Sequence, residues 1–464
     1  MKSFDRKLIG LWSRWGMKVL PFADVASDEL PLSRLLRLSL VQFSVGISLT
    51  LLVGTLNRVM IVELQVPATI VGFMLALPLL FAPFRALIGF RSDTHQSAVG
   101  WRRVPYIYRG TMLQFGGLAV MPFALLVLAK SLNSAHAPEW VGQISAAIAI
   151  LLVGAGVHVT QTVGLALATD LTREDQQANV VGLMYVSLLV GSIIAALAFG
   201  TFLVNFTPGR LIQVIQGTAV VTILLNIVAT WKQEAMRPSG ATGAPQPQPT
   251  FRESWDTFIV QHRSLRRLLV TGLGTLALSM SDIVLEPYGG QVLGLSVGAT
   301  TKLTAVFAGG CLVGFAFASQ ILSRGGDPFR MSALGALLGL PAFAMVIAAA
   351  PMQSAPLFAI GVLLVGCGTG LFSHGTLTAT MRFAPADQVG MALGAWGAVQ
   401  ATAAGFGAVL GGLLRDVVAD FALFAALPRI ADGYVVVYTL EILLLTATLA
   451  IMMPLLRDGR DRAL

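Results

Sequence analysis

Twelve apolar runs, each long enough to cross a bilayer as a helix, leave this chain few folds to choose from. They lie at about 36–57, 68–90, 106–129, 143–168, 180–204, 211–231, 266–288, 298–322, 329–350, 355–378, 389–414 and 434–455. A helix rising about 1.5 Å per residue needs about 20 residues to cross about 30 Å of hydrocarbon, where every backbone polar group must be satisfied within its own segment. The runs therefore predict an all-α membrane protein of about 12 transmembrane helices. Only 12% of the residues are charged and the mean hydropathy is +0.77, whereas soluble domains carry about 25% charged residues.

The net charge of +8 does not point to nucleic acid, because the cations sit between the runs. Lys2, Arg6, Lys7, Arg14 and Lys18 precede the first run, Arg91, Arg102, Arg103 and Arg109 follow the second, and Lys232, Arg237, Arg252 and Arg263 follow the sixth. The alternate turns hold mostly single charges such as Lys130, Arg210 and Arg429. By the positive-inside bias this places both termini in the cytoplasm of a bacterial inner membrane. Phe4, Leu8, Trp12, Trp15 and Val19 recur at helical spacing among the first cations, so residues 1–35 are expected to form an amphipathic segment on the cytoplasmic leaflet, against membrane lipids.

One long polar break, 232–265, contains a Pro-Gln stretch between Pro238 and Thr250 and reads as a flexible cytoplasmic linker. It divides the chain into a six-helix half at 36–231 and another at 266–455, with a short cytoplasmic tail at 456–464. An internal repeat supports this division. At an offset of 212 residues, Val153-Gly154-Ala155-Gly156 falls on Val365-Gly366-Cys367-Gly368, Leu165 on Leu377, Asp175-Gln176 on Asp387-Gln388 and Gly182 on Gly394.

After the second run, Gly89-Phe90-Arg91-Ser92-Asp93 is followed by Gly100-Trp101-Arg102-Arg103. This resembles the loop signature of the major facilitator superfamily, and implies a cytoplasmic latch built from Gly89, Asp93, Arg102 and Arg103. Gly100 stands further from Asp93 than in the usual pattern. Three longer strings are more specific: Gly100 to Tyr106, Gly156 to Asp170, and Ala392 to Thr402. They resemble the PucC-like and LhaA-like branch of that superfamily, the bacteriochlorophyll-delivery proteins of purple phototrophs. The resemblance runs from about Leu30 to Arg415. It implies a major facilitator-like fold, and a factor for assembly of light-harvesting complexes that binds or delivers bacteriochlorophyll. The implied partners are antenna alpha and beta polypeptides, with bacteriochlorophyll synthase, the reaction-centre core, carotenoid and lipid as further candidates, in the inner or intracytoplasmic photosynthetic membrane.

Within the runs, few residues can do chemistry. His158 and His374 are the two histidines placed in spans, one helical turn apart under the repeat offset. Neutral imidazole can be an axial ligand to pigment magnesium. Gln161 and Thr162 could orient a ligand at His158, and Gly366, Gly368, Gly370 and Gly375 could leave a groove for a macrocycle at His374. A polar stitch between helices is the competing reading of both histidines. Asp282 and Glu286, four residues apart on one face, are costly intramembrane acids. They could hold magnesium through water, carry protons or pair with Arg58, and Pro287-Tyr288-Gly289-Gly290 is expected to break the helix beyond them. Glu63, Arg85 and Glu441 are further costly charges.

Glycines in spans 5 and 11, including Gly182, Gly191, Gly200, Gly407 and Gly411, suit tight helix packing. Cys311 and Cys367 have no metal or disulfide spacing. No nucleotide loop, nucleophile motif or clustered metal ligand is found, so an enzyme and a protein-held metal are not expected. Two other functions fit the residues: a proton-coupled transporter of a small amphipathic solute, and an interaction scaffold without pigment.

Overall fold

The computed structural model describes residues 31–80, 92, 101–130, 137–172, 177–234, 264–383, 389–419 and 429–461. Residues 1–30 of the amino-terminal segment, 235–263 of the central linker, Gly89, Asp93 and Arg85 lie outside them. Among the described residues the fold is helical throughout: α1 (Leu32–Leu49), α2 (Ala68–Leu80), α3 (Val104–Leu128), α4 (Glu139–Asp170), α5 (Gln177–Phe202), α6 (Pro208–Thr230), α7 (Ser264–Ser279), α8 (Ser281–Gln291), α9 (Val297–Ser323), α10 (Pro328–Ala349), α11 (Ala355–Phe383), α12 (Val389–Ala419) and α13 (Arg429–Asp461). Among the described residues, eleven stretches of helix are long and apolar enough to cross a membrane, with the shorter Ala68–Leu79 beside them.

Two runs differ from expectation. The first continues past residue 57 through π-helical turns at Thr50–Leu56 and Val59–Glu63, because Arg58 and Glu63 neutralise one another inside it. The seventh is interrupted at Met280, between α7 and α8, and not after Glu286. Pro287 sits inside α8 and the helix runs on to Gln291. A proline there removes the hydrogen bond to the carbonyl four residues earlier, that of Ile283. The Asn57 side chain supplies the missing donor: its Nδ2 donates to Ile283 O at 3.0 Å and to Asp282 O at 3.2 Å. A helix can keep its proline in the membrane when a neighbour satisfies the freed group.

Packing groups the described residues into two compact units. One draws on Met1–Leu51, Pro83–Ala198 and Thr207–Ala241, the other on Leu52–Ala82, Phe199–Phe206 and Thr242–Leu464. These boundaries are drawn by contact and differ from the linker-based division of the sequence. In the second unit α2 packs on α12, where a Cβ at Gly72 would lie 2.7 Å from the Ala408 carbonyl, and the end of α5 meets α9, where one at Gly200 would lie 2.8 Å from the Gly298 carbonyl. Glycine lets these backbones touch.

The repeated Val-Gly-X-Gly has a structural counterpart in each unit. A Cβ on Gly156 of α4 would lie 2.5 Å from the Gly110 carbonyl of α3, and one on Gly368 of α11 would lie 2.8 Å from the Gly335 carbonyl of α10. The first unit is also tied by a polar ladder. Ser48 Oγ donates to Gln114 Oε1 at 3.1 Å and Gln114 Nε2 to Thr160 Oγ1 at 2.9 Å, while Ser44 Oγ donates to Asn226 Oδ1 at 2.7 Å and Asn226 Nδ2 to Thr111 Oγ1 at 2.9 Å.

Candidate functional site

His158 lies on α4 in the first unit and His374 on α11 in the second, both half-buried. Gln161 offers its backbone carbonyl to Gln42 Nε2 at 3.1 Å, so part of its polar capacity goes to helix pairing. Thr160, one residue earlier, is the threonine that bonds Gln114. Around His374 the imidazole lies against Phe315 of α9, with centroids 4.2 Å apart and planes tilted by 50°. Its Nδ1 is buried without a hydrogen-bond partner.

The glycines near His374 do not leave a groove. Methyls on Gly366 and Gly370 would collide with the carbonyls of Phe307 and Cys311 on α9, while Gly368 and Gly375 are covered by α10 at Gly335 and Ser332. Both faces are filled because helices without side chains at these points close until their backbones meet. Any flat ligand at His374 must therefore approach from the side of the ring that Phe315 does not cover.

The acids lie elsewhere in the second unit. Glu286 is 6% exposed. Its Oε1 accepts the hydroxyl of Thr304 on α9, and its Oε2 is buried with no donor. Gly54, in the π-helical turn of the first span, makes room for this pair: a Cβ there would lie 2.7 Å from Thr304 Oγ1 and 3.0 Å from Glu286 Oε1. Asp282 is exposed. Arg58 is buried and ion-pairs with Glu63, not with Asp282 or Glu286, and its Nη2 donates to the Leu295 carbonyl at 3.3 Å.

Sequence reasoning noted Glu441 only as a costly charge. It is fully buried, facing Ser281 at the start of α8. A second group passed unnoticed. Gln291 Oε1 accepts from Arg415 Nη2 and from the Tyr434 hydroxyl, each at 2.5 Å. Arg415 Nη1 meets Asp416 Oδ1 at 2.7 Å, and Asp416 Oδ2 accepts from the Thr69 amide and hydroxyl at 2.7 Å each. The adjacent Arg-Asp pair near the end of a run was the available signal.

Of the latch, Gly89 and Asp93 fall outside the described residues. Arg102 and Arg103 reach Asp170 at the end of α4, by Nη2 at 2.6 Å and Nε at 2.9 Å. Glu234 accepts the backbone amides of Arg102, Arg103 and Val104 at 2.7–3.0 Å, capping α3. A carboxylate at a helix amino terminus complements the dipole and the unpaired N–H groups. Among the described residues no group of His, Cys, Asp and Glu could hold a metal ion.

The helical architecture is that of the major facilitator-type transporters. The bacterial homologue of the human lysosomal transporter Spinster, solved in an inward-facing state, superposes with a TM-score of 0.66 over 90% of this chain and 95% of its own, at 15% identity. The chain belongs to the PucC family: the sequence profile described as "PUCC protein" matches residues 55–460. It is 62% identical over 405 residues to Protein PucC of Rhodovulum sulfidophilum, covering 87% of this chain and 89% of that protein. To Protein PucC of Cereibacter sphaeroides it is 55% identical, over 96% and 97% of the two chains. A protein of Rhodobacter capsulatus, "Bacteriochlorophyll synthase 44.5 kDa chain", is 30% identical over 84% of this chain and 88% of its own.

Proposed function

We propose that this multi-pass membrane protein is a non-enzymatic assembly factor for bacterial light-harvesting antenna complexes, and that it binds or hands over bacteriochlorophyll to antenna alpha and beta polypeptides. Membership of the PucC family carries this reading. One relative's name contains the pigment. In support, His374 offers a half-buried ring that lies against Phe315 on a helix rich in apolar residues. A magnesium macrocycle needs such a neutral nitrogen and a dry surround. His158, with Gln161 and Thr162 nearby on α4, is the corresponding candidate of the first unit. The working location is the inner or intracytoplasmic photosynthetic membrane, with both termini in the cytoplasm. Carotenoid or lipid, bacteriochlorophyll synthase and the reaction-centre core are the further partners to seek.

The test is purification of the full chain from a pigment-making phototroph in mild detergent. Near-infrared absorbance that co-migrates with the protein and falls at least fivefold in His374→Phe or His158→Phe supports the reading. Antenna polypeptides co-purifying without pigment would replace it with a scaffold. The buried carboxyls of Glu286 and Glu441 favour a second reading, proton-coupled transport of a small amphipathic solute. Solute flux into proteoliposomes that needs a pH gradient and is lost in Glu286→Gln would establish that alternative.

A further inference from the structure

Arg58 is a buried cation with two acids in reach, and it engages one of them. Its ion pair is with Glu63, and its Nε is buried with no acceptor. The guanidinium lies over Gly290 of α8, where a Cβ would be 2.9 Å from Nη2 and 3.2 Å from Nε. Glu286 precedes Gly290 by four residues, so its side chain lies one turn away on the same helical face. There Glu286 Oε2 is buried with no donor, while Oε1 is engaged by Thr304.

An ionised Glu286 would thus be a desolvated charge lacking a counter-ion, which costs several kcal/mol. Two changes remove that cost. A proton can neutralise the carboxylate, or Arg58 can leave Glu63 and bring its unused N–H to Oε2. Glu63 tolerates release, since its side chain is 36% exposed.

The surrounding groups do not offer a third solution. On α8 itself Asp282 is exposed. From α9, Thr304 faces the carboxylate, Cys311 is buried, and Lys302 packs its stem on Gly200. On α13, Tyr434 bonds Gln291, Tyr438 lies against the Val284 carbonyl, and Glu441 is another buried acid. On α12, Arg415 and Asp416 engage one another, Gln291 and Thr69. The described part of α2 carries no charge. Arg58 is therefore the cation placed to answer Glu286.

We propose that Glu286 is a proton-binding site and that Arg58 is its shared counter-ion. While Glu286 carries a proton, Arg58 pairs with Glu63. When the proton leaves Oε2 for water, no other bond breaking, Arg58 turns to Glu286 and frees Glu63. The exchange takes place where the first span is wound as a π-helix, a local irregularity that is frequent at functional sites. This site stands independently of which cargo the protein handles.

The test is infrared difference spectroscopy of the full chain in lipid nanodiscs across a pH series. A component of the buried carboxylic-acid carbonyl band should titrate, disappear in Glu286→Gln and persist in Asp282→Asn and Glu441→Gln. At the pH where that component is half its maximum in wild type, Glu63→Gln should shrink it about fivefold, because the released Arg58 then competes with the proton for Glu286. A band indifferent to Glu286→Gln, or one unchanged or enlarged in Glu63→Gln, overturns the proposal. Glu63 is partly exposed, so that variant decides the matter even if Glu286→Gln does not fold.

Discussion

A single missing methyl group sets the spacing of several helices in this protein. Gly370 is buried on α11 and would drive any Cβ into the Cys311 carbonyl of α9, whereas Gly116 on α3 has no atom within 4 Å of the position its Cβ would take. Gly370→Ala should therefore destabilise the protein by about 1–3 kcal/mol, the usual cost of overpacking, and Gly116→Ala should be neutral or stabilising by up to about 1 kcal/mol through helix propensity. Thermal unfolding in one detergent, followed by circular dichroism, checks the pair, and equal effects of the two substitutions would refute the packing account. Nothing in the local sequence separates these glycines, since both lie in apolar helices. The same ambiguity produced the expectation of a groove beside His374: a run of small residues announces close approach but not what approaches.

Helix ends and interruptions show where local sequence sufficed and where distant residues decided. The runs were legible as helices because apolar length alone dictates them in a membrane. The continuity of α8 through Pro287 was not, because it rests on Asn57, more than two hundred residues away in the chain. Asn57→Leu should leave the Ile283 carbonyl buried and unsatisfied, a loss of about 1–3 kcal/mol. Asn57→Gln, which can still donate, should recover part of it. Denaturation midpoints compare the two, and identical losses would mean that Asn57 acts by shape alone. The start of α3 depends in the same way on a residue beyond its own segment, Glu234, which takes the amides of Arg102, Arg103 and Val104. Glu234→Ala should cost about 1–2 kcal/mol, as loss of a helix cap does. Arg102 and Arg103 stand out in the sequence by their motif, whereas no local feature marks Asp170 as their partner.

On the scale of the whole molecule, hydropathy and the 212-residue repeat foretold the class of fold, and the glycine crossings at Gly156 and Gly368 give that repeat a physical meaning within each unit. The packing units were not legible, because the contacts of α2 with α12 and of α5 with α9 are made between helices far apart in sequence by glycines with no distinguishing neighbours. Orientation is a different matter, since it follows from where charge resists crossing the membrane. Arg91, Arg102 and Arg103 lie between the second and third runs and Arg109 in the first turn of the third, whereas the turn after the third has Lys130 set against Glu139 at 2.7 Å. Moving the cationic segment across the bilayer would oppose the positive-inside bias. A fluorescent-protein fusion at the carboxyl terminus should therefore fluoresce in cells, and a phosphatase fused after Lys130 should be active while one fused after Arg103 is not. Activity of the Arg103 fusion with silence of the Lys130 fusion would invert the topology. It would also place the Arg58, Glu63 and Glu286 site near the opposite face of the membrane, so the same fusions decide from which side a proton would reach it.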